Sequence, residues 1–368
     1  MKIGIFDPYL DDLGGGEKYM LTIAQCLSQS HKVDIFWNNK KDINEALKRF
    51  PLDLSRVEVK KNIFAKDVSF LKRILISKSY DIIIVLSDGS IPFLLSKNLF
   101  IHIQSPIHDL SINFKTRIKL LRIKKIFCNS YFTKFYVDRT YGVNSDVLYP
   151  PISLPRTRTV RGLQNKKIEK ENIILHVGRF RVKNVKAGDY KKQSVMIDAF
   201  RKMVKNGLSN WKLIIAAGVK DEDKDEFNKM VSTAKGFPVD FVINKSNEEL
   251  LDLYHKAKIY WHASGYGEDL NKHPDYAEHF GISTVEAMAA RGVPVVFNAG
   301  GQKEIIEDGE SGFLWNTVQE FMSFTIKLVS NAKLLNKMSD EALERSKEFT
   351  GDRFCKELSD ILFVKVQP

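Results

Sequence analysis

The sequence predicts an α/β protein built from two domains with parallel sheets, and three features carry that expectation. Short apolar runs of strand length alternate with longer amphipathic stretches. That rhythm stops at a polar, basic segment and then restarts. The chain's 368 residues exceed one ordinary core and suit two, at ~150 residues per domain.

In chain order, "KIGIF" (2–6), "KVDIFW" (32–37), "DIIIVLS" (81–87), "LFIHIQ" (99–104) and "KIFCNS" (125–130) read as strands of a first parallel sheet. The segment "RTRTVRGLQNKKIEKEN" (156–172) has no apolar period and reads as a linker. A second sheet follows in "IILHVG" (173–178), "KLIIAAG" (212–218), "VDFVIN" (239–244), "KIYWHAS" (258–264) and "VPVVFN" (293–298). The expected domains are 1–155 and 171–350, with 351–368 as a C-terminal helix packing back on the first. Open parallel sheets bind ligands at the carboxyl ends of their strands, so two facing sheets would place a site in the cleft between them.

With 43% apolar and 28% charged residues the chain is globular, neither disordered nor fibrous. Three cysteines, Cys26, Cys128 and Cys355, show no C-x-x-C spacing, which supports neither a disulfide framework nor a zinc site and suits a reducing cytoplasm. Asp7 interrupts the N-terminus before a signal-peptide core develops, and runs such as "IIIVL" (82–86) are far shorter than the ~20 residues that span a bilayer. The expected location is cytoplasmic, with peripheral attachment at the inner membrane face left open. Of the net charge of +12, residues 1–150 carry +8, which calls for an anionic partner on that half.

Three places carry chemistry. Gly14, Gly15 and Gly16 precede a helix from about Glu17 to Ser28, where glycines admit close backbone approach and a helix start favours an anion; a plain tight turn is the alternative. The pattern is not G-x-G-x-x-G and the second strand ends without a ribose-binding acid, which disfavours a dehydrogenase. Arg179 lies just beyond a strand and Lys191 and Lys192 open the next helix, so two fixed cations could clamp a diphosphate or simply form a solvated basic loop. In "EHFGISTVEAMAARGVPVV" (278–296), Ser283 and Glu286 fit a capping box, which leaves Glu278 unexplained. The acidic run Asp221 to Glu226 reads as a solvated helix face, and no metal is expected.

That last stretch resembles the E-x7-E signature of the retaining family 4 glycosyltransferases, whose GT-B fold sets two Rossmann-like domains face to face. The resemblance extends to the "GGGE" loop, "CNSYFT" (128–133), "LYPP" (148–151), "HVGRF" and "NAGGQKEII" (298–306), in the family's order. It implies a nucleotide diphosphate sugar as donor, no required cofactor, and a sugar or lipid-linked hydroxyl acceptor. Glu286 would hold the donor ribose, Glu278 would face the transferred sugar, and Arg179 with Lys191 would neutralise the diphosphate, with Lys192 the alternative. Backbone N–H groups of Phe280, Gly281 and Ile282 would lie against sugar and phosphate, and Gly15 and Gly16 would close over the donor. His102, in "FIHIQSP", matches the family's catalytic histidine, a satisfied core histidine being the alternative. Loops 180–190 and 265–277 are longer than usual in that family.

The implied activity is a hexose transfer in polysaccharide or glycolipid assembly, with a GT-B epimerase or phosphorylase as the rival reading. No basic–aromatic interleaving or nucleic-acid module is present, so nucleic acid is not an expected partner. The stretch "NFKTRIKLLRIKKIF" (113–127) fits an interfacial helix docking on an anionic membrane, or an ordinary helix that packs its apolar residues on its own sheet.

Overall fold

The structure is a computed structural model that describes residues 1–12, 14–108, 110–152, 169–182 and 189–363. It divides into two compact units: residues 1–151 with the segment from Gly351 onward, and Ile152–Thr350. Most of the expected linker and of the 180–190 loop lies outside the described residues.

The first unit runs β1 (Lys2–Phe6), α1 (Gly15–Ser28), β2 (Lys32–Phe36), α2 (Lys40–Arg49), β3 (Val57–Lys60), α3 (Phe70–Lys78), β4 (Ile82–Ser87), β5 (Asn98–Ile103), α4 (Phe114–Leu120), β6 (Ile123–Cys128), α5 (Tyr131–Tyr141) and β7 (Asp146–Val147). Its seven strands pair in parallel in the order β3-β2-β1-β4-β5-β6-β7. β1 lies between β2 and β4, so successive crossovers depart in opposite directions from its carboxyl end, the usual ligand position of such sheets. Strands such as Ile82–Ser87 are buried along their whole length, which is why they read as continuous apolar runs.

The second unit runs β8 (Glu171–Phe180), α6 (Gln193–Lys205), β9 (Lys212–Val219), α7 (Lys224–Thr233), β10 (Val239–Ile243), α8 (Asn247–Lys256), β11 (Ala257–His262), α9 (Ile282–Ala289), β12 (Val293–Phe297), α10 (Gln302–Ile305), β13 (Phe313–Trp315), α11 (Val318–Val329) and α12 (Ala332–Ser346). Its parallel order is β10-β9-β8-β11-β12-β13, with the switch at β8 and β11. Trp261, Trp315 and Phe321 stack in the core between the sheet and α11. Ile152 bridges to Thr350 and donates its N–H to the Phe349 carbonyl at 2.8 Å, so the unit's entry and exit segments are neighbours.

The last helix, α13 (Gly351–Phe363), returns to the first unit, where Phe354, Leu358 and Leu362 join the core formed by α1 and β1. It also corrects the cysteine reading: Cys355 is disulfide-bonded to Cys26 of α1, the two Cα atoms 5.4 Å apart, and Cys128 is the free, buried thiol. The pairing joins positions 329 residues apart through helix packing, and no local spacing could reveal it. A second correction concerns the acidic run. Asp221 is exposed, but Asp223 is wholly buried, accepts the Val182 N–H at 3.1 Å and lies 4.0 Å from Arg181.

Candidate functional site

In the second unit the carboxyl ends of β8, β11 and β12 bring the E-x7-E stretch beside the start of α6. Gly281 makes this possible. It holds φ +119°, where an L side chain is strained, and a Cβ there would stand 2.8 Å from the Gln302 amide nitrogen. Gly281 is thereby the N-cap of α9 and, as glycine, supplies no capping side chain. The expected Ser283–Glu286 capping box does not form, because α9 already starts at Ile282 and encloses Ser283. Ser283 instead meets the Tyr260 hydroxyl at 2.8 Å, and Glu286 accepts the Tyr254 hydroxyl at 3.2 Å. The first-turn N–H groups of α9 thus have no side-chain cap and suit an anion.

Glu278 is the electrostatic centre. Its Oε2 accepts from Lys191 Nζ at 2.6 Å and from His262 Nε2 at 2.7 Å, and its side chain is 18% exposed against 14% for Lys191. Burial alone would raise the carboxyl, but Lys191 and His262 hold it well below the usual range. Burial likewise presses on the Lys191 ammonium, and Glu278 overcomes it to raise the group. His262 ends β11 and is lowered mainly by burial, and its Nε2 carries the proton that it donates to Glu278. The Glu278 carbonyl is fixed in turn by the Gly301 N–H at 2.8 Å, and a Cβ on Gly300, at φ +61°, would overlap that carbonyl.

The remaining expected residues fall as follows. Lys191, not Lys192, reaches Glu278; Lys192 caps α6 and pairs with Glu268, which ties the long 265–277 loop to the helix start. Arg179 is exposed on the penultimate residue of β8, opposite Gly218, and its charge is felt at Lys191. Phe280 and Gly281 are buried and Ile282 is half-buried. In the first unit Gly15 opens α1, and the Gly16 carbonyl accepts from Gln104 at 3.3 Å. His102 is wholly buried, stacked between Tyr19 and Phe127 at 4.1 and 4.7 Å, and donates through Nδ1 to the Phe127 carbonyl. Burial lowers it to about 3 and leaves its Nε2 with no hydrogen-bond partner.

Residues 163–345 match the family model described as "Glycosyl transferases group 1". Over those residues, just under half of its length, the chain is similar to the group 1 glycosyl transferases.

Among curated relatives, a GDP-Man:Man(3)GlcNAc(2)-PP-Dol alpha-1,2-mannosyltransferase of Dictyostelium discoideum is 25% identical over 274 residues, covering 72% of this chain and 50% of that protein. A probable sucrose-phosphate synthase of Thermosipho melanesiensis is 27% identical over 60% of this chain and 45% of its own. The chain thus spans about half or less of the length of these relatives. Among solved structures, Anabaena HepE in complex with UDP and glucose superposes with a TM-score of 0.71 at 17% identity, covering 98% of this chain and 99% of that one. The fold is GT-B.

Several residues of the candidate site gave no signal in the sequence. His262 carried no spacing motif, and only the register of β11 puts it at a strand end beside Glu278. His176 lies next to it, donating through Nδ1 to the Trp261 carbonyl at 2.9 Å and lowered to about 3, chiefly by burial. A cavity of about 660 Å³ lies at the opposite, amino-terminal ends of β8 and β9 and shares no residue with the site.

Proposed function

We propose that the chain is a retaining glycosyltransferase that moves a hexose from a nucleotide diphosphate sugar to a hydroxyl acceptor in polysaccharide or glycolipid assembly. The observation that carries this reading is the convergence of Lys191, Glu278 and the uncapped start of α9 at the carboxyl ends of β8 and β11. A diphosphate there would meet the Lys191 ammonium, the Arg179 guanidinium and the first N–H groups of α9. These groups stabilise charge that grows on the leaving phosphate as the sugar becomes cation-like. The diphosphate would share Lys191 with Glu278, leaving the carboxylate to face the positive sugar. Glu286, on the second turn of α9, would take the ribose hydroxyls, and the leaving phosphate oxygen would accept the acceptor's proton. Gly15, Gly16 and His102 are assigned to donor and sugar by resemblance.

The relatives' names support a donor of this class, GDP-mannose in one and UDP beside glucose in another, and the first acts on a lipid-linked oligosaccharide. We therefore infer a lipid-linked acceptor on an anionic membrane surface. Thermal stabilisation across UDP-, GDP-, ADP- and TDP-sugars tests the donor site, since a ligand of the native state raises apparent stability with the logarithm of its excess over Kd. One nucleotide series should stabilise the wild type and fail with Glu286→Gln. No shift with any nucleotide sugar would overturn the reading.

A further inference from the structure

We propose that α3 and α4 of the first unit form a single docking face for an anionic membrane surface. In α4 and the residue after it, Phe114, Ile118 and Leu121 recur at helical spacing and are 76%, 44% and 86% exposed. An ordinary surface helix turns such a stripe inward, yet no residue of α4 is fully buried. In α3, Phe70, Leu71 and Leu75 are 56%, 73% and 70% exposed. These six account for nearly half of the large apolar side chains that are exposed among the described residues, and they sit in two short segments. Scattered exposure would need no account; this concentration does.

The two helices belong to one face. Ile76 of α3 and Leu120 of α4 pack on the same core. The segment between β4 and β5 joins them: Phe70 stacks with Phe93 at 6.4 Å, Ser77 accepts the Leu95 N–H at 2.9 Å, and Arg122 donates to the Ser96 carbonyl at 3.1 Å.

Charge selects the occupant. Residues 70–78 and 113–125 contain nine Lys and Arg and no Asp or Glu. Lys72, Lys78, Lys115, Arg117 and Lys124 are exposed, and no described carboxylate forms a salt bridge with them. Basic side chains of one sign around exposed aromatic and aliphatic ones fit a fluid layer of anionic headgroups over acyl chains, which requires no shaped groove. Attachment would be superficial, because no described helix is long and apolar enough to cross a membrane.

The proposal deepens the lipid-linked acceptor reading, and its test needs neither donor nor acceptor. The full chain is co-sedimented with vesicles of phosphatidylcholine alone and of phosphatidylcholine with phosphatidylglycerol, from low salt to ~0.15 M. Binding is expected only to the anionic vesicles and to weaken with salt. Replacing Lys115, Arg117 and Lys124 by Gln should lower the partition coefficient roughly a hundredfold, at about fivefold per basic residue. Phe114→Ser with Leu121→Ser, and separately Leu71→Ser with Leu75→Ser, should each lower it at least about tenfold. All three variants should keep the wild-type melting temperature and nucleotide-sugar shift, so loss of docking and failure of the transferase reading are distinguishable. Equal binding to both vesicle types, or wild-type binding by any of the three variants, overturns the proposal. So does concentration-dependent dimerisation that the apolar variants abolish, which would assign the face to a second copy of the chain.

Discussion

Lys191→Met and Glu278→Gln, made singly and together, test whether this ion pair is a coupled unit. At 2.6 Å the two charges attract by about 6 kcal/mol if the effective dielectric is ~20. Desolvation of both groups offsets much of that attraction. Removing one partner still strands the other as a charge less than a fifth exposed, which costs about 3–5 kcal/mol. Each single variant should therefore lose roughly that much in urea unfolding at neutral pH. The double variant should lose less than the sum by about 2 kcal/mol or more, because neither charge is stranded. Transfer should stay low in the double variant, since the cation proposed for the diphosphate is gone. If the two single effects add to within about 0.5 kcal/mol, the pair is not coupled and the centre described at Glu278 is wrong.

Glu286→Gln and Arg179→Ala should each weaken donor binding roughly tenfold to a hundredfold by calorimetry, the worth of a charged hydrogen bond, while leaving the fold intact. Denatured without reductant, the chain should present one reactive thiol, Cys128, and all three after reduction; three before reduction would exclude the Cys26–Cys355 bond. Burial raises the Asp7 carboxyl from 3.8 to about 7, the Tyr9 N–H opposing and the Glu17 and Asp11 charges adding. Its folded value lies above its unfolded one, so its contribution to stability is full below about 4 and is lost as pH rises towards 7. Asp7→Asn should then stabilise the protein more at pH ~8 than at pH ~5, by about 2.5 kcal/mol, and equal gains would refute this.

The fold was legible because its central strands are buried on both faces and therefore spell continuous apolar runs. The strands missed, β3, β7 and β13, are four, two and three residues long and sit at or beside sheet edges, too short for a pattern to develop. At the site, spacing marked Glu278 and Glu286, and chain order placed Lys191 near them. Spacing alone could not choose Lys191 over Lys192, because the choice shows only in their partners: Lys191 reaches Glu278, while Lys192, at the left-handed N-cap of α6 with φ 55°, pairs with Glu268. Ser283 misled for a related reason: the helix starts one turn's fraction earlier, at a glycine whose role depends on Gln302 from a different element. His262, Asp223 and the disulfide all depend on contacts that only tertiary packing creates.

The first unit is interrupted by the second, and this governs the order in which the molecule can mature. Gly351–Phe363 is translated only after the whole of Ile152–Thr350, so until then the nascent first sheet lacks Phe354, Leu358 and Leu362 from its core. Closing a flexible loop of ~200 residues to dock that helix would cost about 5 kcal/mol of chain entropy. Folding the second unit first removes most of that cost, because its entry and exit segments at Ile152 and Thr350 meet and deliver the helix beside the end of β7. The Cys26–Cys355 bond then acts as a seal applied after assembly, because Cys355 arrives only with that last helix.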